Sequence, residues 1–103
     1  MFDMFGKLQE MQKEMEATRK RLDTMTVFGD AEGIKVTANG NRSIVNISIN
    51  PDIVDTTDIE QLEDLLMVAV NRAIAQAEAL NVAENGKIAS GMLPPGMDIP
   101  GLF

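Results

Sequence analysis

The chain of 103 residues contains no Cys and no His. Without thiols it has no disulfides, thiolate nucleophiles or Cys/His zinc clusters. Without imidazole the usual general base of hydrolases is missing. Trp and Tyr are also absent and there are only four Phe, so no aromatic platform for stacking single-stranded bases is expected. The longest apolar run, Leu65 to Val70, is far short of the roughly 20 residues that cross a bilayer. Met1 to Lys7 lack the basic start and apolar stretch of a secretion signal. These absences predict a cytoplasmic protein that is not an enzyme, with no catalytic or metal site, no cofactor, no small-molecule substrate and no membrane span. Basic residues are few as well: nine against 16 acidic ones, a net charge of −7. A polyanionic partner then requires the cations to be gathered, because phosphate contacts act within about a Debye length, roughly 8–10 Å.

The residues present are ordered. From Met4 to Met25, Met4, Leu8, Met11, Met15, Thr18, Leu22 and Met25 are spaced alternately by four and three, a heptad seam on one amphipathic helix. A short strand is expected around Met25 to Gly29, and residues 29–33 read as a turn-rich link. Ile34, Val36 and Ala38 then alternate with Lys35 and Thr37 at the strand period of two. Asn39, Gly40 and Asn41 tolerate positive φ and signal a hairpin, after which Val45, Ile47 and Ile49 alternate with Ile44, Asn46 and Ser48. Pro51 stops that strand. Thr57 with Glu60 reads as a capping box opening a long second helix, with Ile59, Leu62, Leu66, Ala69, Ala73 and Leu80 on one face. Leu65, Val68 and Ile74 add apolar surface that asks for the first helix or a second copy of the chain. The helix is expected to fray or end between Asn85 and Gly91. Residues 92–103 hold three of the four prolines and read as a flexible tail. The reading is α+β: one domain over 1–91 containing a long helix, a three-stranded antiparallel sheet and a second long helix, then a tail over 92–103. At this length a single core is modest and dimerisation is a plausible supplement.

Few motifs survive inspection. Gly86-Lys87 has Asn81 where a phosphate loop needs its first Gly and Ile88 where it needs a hydroxyl. Asp30 with Glu32, and Asp52 with Asp55, do not match a calcium loop. The basic residues are more informative, since Lys7, Lys13, Arg19, Lys20 and Arg21 all fall on the first helix, five of the nine. One reading is a solvated face in which Glu16 pairs with Lys20 and Glu10, Glu14 and Asp23 balance the rest. The other is a protruding arm whose cations meet nucleic-acid phosphates, with Lys35 and Arg42 on the hairpin adding contacts. A Met-rich helical arm also fits a prefoldin-like holdase or a protein-interaction scaffold.

The element order, together with particular stretches, resembles the YbaB/EbfC family of nucleoid-associated proteins. The stretches are Met4-Phe5-Gly6-Lys7 running into Leu8 to Met15, Gly33 to Thr37 with Asn39-Gly40, Ile47 to Pro51, Leu62 to Leu66 through Ala69 to Ala73, and Gly91 to Met97. They cover nearly the whole chain. Asn50 departs from the more usual acid before Pro51, and Arg72 stands where an acid is common, either adding positive potential or pairing with Asp64 or Glu78. The resemblance implies a tweezer-like homodimer that grips duplex DNA with little sequence demand, located in the nucleoid and acting in chromosome organisation and gene regulation. It does not say which basic residues touch DNA. Lys7, Lys13, Arg19, Lys20, Arg21, Lys35 and Arg42 are candidates from charge and expected exposure.

Overall fold

The computed structural model describes residues 3–92. Its elements are α1 (Asp3–Thr24), β1 (Thr26–Ala31), β2 (Ile34–Asn39), β3 (Ile44–Ile49), a 3-10 turn (Pro51–Ile53) and α2 (Ile59–Met92). The α+β class and the order of two helices around a three-stranded antiparallel sheet agree with expectation. The tail anticipated over 92–103 lies outside the described residues except for Met92, which is helical.

The sheet order is β1-β2-β3. The first strand runs further than expected, to Ala31, because the link is a two-residue turn: Glu32 and Gly33 take positive φ, +29° and +89°, the geometry that matches strand twist. Between β2 and β3, positive φ falls on Arg42 at +66° and not on Asn39, Gly40 or Asn41. Asn39 instead closes the turn with its side chain, whose Oδ1 accepts from the amides of Asn41 (2.9 Å) and Ser43 (3.1 Å). An irregularity between Thr37 and Ala38 pairs Ala38 with Ile44. Ile44 therefore joins Ile47 and Ile49 on the inner face, and the alternation expected from Val45 breaks at this bulge.

α2 lies across β1 and β2. Ala69, Ala73 and Ala77 are buried against Ala31, Ile34, Val36 and Ala38, and these small side chains let helix and sheet approach closely. The helix cap is one residue later than the sequence signal suggests. Asp58, not Thr57, accepts from the Gln61 amide at 3.2 Å, while Thr57 is held by Asp55 through its amide (2.9 Å) and hydroxyl (2.6 Å). These bonds hold the Asp55 carboxyl below its usual range. Asp58→Ala is expected to cost about 1 kcal/mol and Asp58→Asn much less, read as a shift in urea midpoint at constant slope. At its other end α2 passes through Gly86 and the expected stopping region to Met92. Packing outweighs the glycine penalty there, since Glu84 and Ile88 are buried where α2 runs beside Ala17, Thr18 and Arg21 of α1.

Candidate nucleic-acid interface

The foot of α1 is fixed by the turn between β2 and β3. The Gly40 amide donates to the carbonyls of Leu22 (2.9 Å) and Met25 (3.0 Å), and a Cβ at Gly40 would lie 2.5 Å from Leu22 Cδ2. The Asn41 side chain donates to the Arg19 carbonyl (2.9 Å) and the Asp23 carboxylate (2.5 Å), and Asn81 of α2 donates to the Gly40 carbonyl (2.9 Å). Of the heptad seam only Thr18 and Leu22 are buried, whereas Met4, Leu8 and Met15 are exposed. α1 is thus held at its base, and the molecule is elongated, measuring 68 Å against 27 and 15 Å across.

The seven candidate cations separate by partner. Arg19 pairs with Glu16 at 3.0 Å, so Glu16 is not taken by Lys20 as the i,i+4 spacing suggested. The pair holds the Glu16 carboxyl low and the Arg19 guanidinium high. Arg21 donates to Glu84 at 2.9 Å and Arg42 to Glu78 at 2.6 Å. Lys35 lies 4.1 Å from the centre of the Phe28 ring, on the sheet face opposite α2. It stands at the end of β2 away from Gly40, five residues or about 16 Å from the foot of the arm. Arg72 finds neither Asp64 nor Glu78, and donates to the Asp30 carbonyl at 2.6 Å.

Lys7, Lys13 and Lys20 are exposed and make no ion pair among the described residues. Lys13 and Lys20, seven residues apart, share one face of α1 about 10 Å from each other along its axis. They share it with Gln9, Gln12, Glu16 and Ala17, on the side away from the seam. The structure therefore brings together Lys13 and Lys20, with Arg19 on an adjoining face and Lys7 on the side of the helix that carries the seam residue Thr18. Arg21 and Arg42 lie at the foot, and Lys35 stands apart. Sequence reasoning missed Glu84. Its only local signal is Lys87 three residues on, because its main partner, Arg21, is 63 residues away.

The features define an elongated two-helix, three-stranded α+β protein whose helical arm presents lysines that make no ion pair among the described residues; among those residues no group of three or more acidic side chains is placed to hold a metal ion. No described helix is long and apolar enough to cross a membrane. The chain belongs to the YbaB/EbfC DNA-binding family, whose sequence profile matches residues 1–92. It is 42% identical over 103 residues to a nucleoid-associated protein of Thermoanaerobacter pseudethanolicus, covering 98% of this chain and 88% of that one. It is 41% identical over 105 residues to a nucleoid-associated protein of Alkaliphilus metalliredigens, covering 100% and 88%. Its fold is similar to the crystal structure of an uncharacterized protein from Helicobacter pylori, with a TM-score of 0.70 and 22% identity over 88% of this chain and 94% of that one.

Proposed function

We propose that the protein is a nucleoid-associated protein that binds duplex DNA through phosphate contacts with low sequence specificity, without catalysis, and acts in chromosome organisation and gene regulation. The observation that carries this reading is the segregation of charge. α1 holds five basic and five acidic residues, so the net −7 resides in the rest of the chain. Asp52, Asp55, Asp58, Glu60, Glu63 and Asp64 crowd the start of α2, whereas the arm packs beside its far end, near Glu84. From Glu60 to Glu84 the helix rises about 36 Å, several Debye lengths of roughly 8 Å at physiological salt. The acidic pole is therefore screened from a duplex at the arm. A salt-titrated gel shift on generic duplex tests the reading: retardation in dilute buffer that weakens steeply with salt is expected, and its absence in dilute buffer overturns it.

The tweezer-like homodimer belongs to the same proposal, as do a single folding unit over 1–91 and location in the nucleoid. Ile44, Ile47 and Ile49 lie on the face that α2 covers over β1 and β2, yet they remain exposed, Ile47 at 45%. Met67 of α2 is also exposed, on the flank that carries Glu78 toward Arg42. β3 is an edge strand without Pro, Lys or Arg to blunt it. An apolar strip beside an unprotected edge suits a second copy of the chain. Light scattering is expected to give twice the 11.2 kDa chain mass, and Ile47→Lys is expected to return it to one chain. A single-chain mass for the unaltered protein counts against the dimer.

The exposed Met4, Leu8 and Met15 favour a second reading, a prefoldin-like holdase or scaffold, which membership of a DNA-binding family makes secondary. Suppression of aggregation of an unfolded protein, with no duplex shift in dilute buffer, would reverse that order.

A further inference from the structure

Where α1 meets α2, one carboxylate is enclosed between the helices. Glu84 keeps only 7% of its exposure and receives Arg21 at 2.9 Å and Lys87 at 3.3 Å. Its carboxyl is held below the usual range, first by the hydrogen bond from Arg21 and then by that from Lys87, with burial opposing. Thr18, at 3% exposure, and Ile88 are buried beside it, while Met15, Leu8 and Met4 further along α1 are exposed. Glu84 thus sits inside the zone where α1 packs on α2, between Thr18 and Arg21 of α1 and Ile88 of α2. From Arg21 to Met4 the helix extends about 25 Å, so a tilt of about 10° at this point would move its tip by about 4–5 Å.

We infer that Glu84 is the joint that fixes the direction of the arm, and that Arg21 serves DNA binding as a positioning residue through Glu84 and not as a phosphate contact. The inference rests on the duplex-binding reading, and it makes a prediction opposite in sign to simple electrostatics. Glu84→Gln removes a negative charge near the arm and releases Arg21 and Lys87. If charge alone mattered, binding would tighten. If the carboxylate is the joint, binding weakens although the molecule is less acidic, because the lysines lose their alignment with the phosphates.

Salt-titrated binding to generic duplex separates these outcomes. Glu84→Gln is expected to weaken binding roughly two- to thirtyfold, the range for residues that act without touching the ligand. Arg21→Ala is expected to weaken it without changing the salt slope, and Arg21→Lys to retain more affinity than Arg21→Ala. Tighter binding by Glu84→Gln overturns the inference, as does a slope that falls by about 0.9 in Arg21→Ala, the signature of one lost phosphate contact. Should Glu84→Gln not fold, Arg21→Ala, in which Lys87 still balances Glu84, carries the test alone.

A second measurement needs no DNA. Because the chain has no Cys, Gln9→Cys with Gln76→Cys accepts two spin labels without background. With labelled protein diluted into unlabelled, the 9-to-76 distance distribution is expected to be narrow and to broaden when Arg21→Ala is added. An unchanged distribution overturns the joint. If the unaltered protein ignores duplex DNA, the functional reading fails while the distances still decide the joint.

Discussion

Replacing Lys7, Lys13 and Lys20 together by Ala is expected to weaken binding to every duplex sequence and to flatten its salt dependence. These three are the arm cations without an ion pair among the described residues, so none of them has to leave a carboxylate of those residues to approach a phosphate. Each phosphate neutralised adds about 0.9 to the slope of log K against log salt, so the triple variant should lose up to about 2.7 per engaged arm. At low salt the affinity should fall on the order of a hundredfold, uniformly across sequences, since backbone contacts carry no sequence information. Arg19 offers an internal comparison. It must share or surrender Glu16, an exposed pair of small value, and Arg19→Ala is expected to remove less of the slope than Lys13→Ala. Thr56→Asp adds an acid to the far pole and should change affinity by less than about twofold, because that end lies beyond screening range. An undiminished slope in the triple variant would place the interface elsewhere.

Gly29→Ala is expected to be the most destabilising small substitution in the sheet. Gly29 is buried on β1 where the backbone of α2 crosses it, and a Cβ there would press into the Ala69 carbonyl oxygen and the Ala73 amide nitrogen. No side chain can rotate away from a clash with backbone, so helix and sheet must separate. Overpacking in a core costs typically 1–3 kcal/mol when side chains yield, and a value at or above about 3 kcal/mol is expected here. For a domain of this size that corresponds to a fall in Tm of more than about 10 °C. Gly6 and Gly86 provide the contrast. Both are helical with nothing within 4 Å of an added Cβ, and Gly86→Ala should stabilise by up to about 1 kcal/mol through helix propensity. Thermal unfolding of the three variants tests whether close backbone approach, and not glycine content, sets the constraint.

Local periodicity carried much of the fold into the sequence. Ile34, Val36 and Ala38 announced β2 because strand side chains alternate, and the spacing from Met4 to Leu22 announced α1 because helical neighbours recur at three and four. Turn chemistry was less legible. Asn39 acted through its side chain while Arg42 took the left-handed conformation, and the helix cap fell on Asp58 because Asp55 had already engaged Thr57. The candidate site was legible as a set of cations on one helix, without their order of availability. Glu16 had three cations within helical reach, Lys13, Arg19 and Lys20, and only the folded chain chose Arg19.

The amino-acid order alone determined the class of fold and the concentration of basic residues on the first helix, because these follow from short-range spacing and composition, and the resemblance of particular stretches pointed to the family. Tertiary structure decided which cations stay unpaired, since Arg21 meets Glu84 and Arg42 meets Glu78 only after segments far apart in the chain are packed together. It also decided which apolar residues remain uncovered, because α2 spans two strands of the sheet and leaves the third exposed.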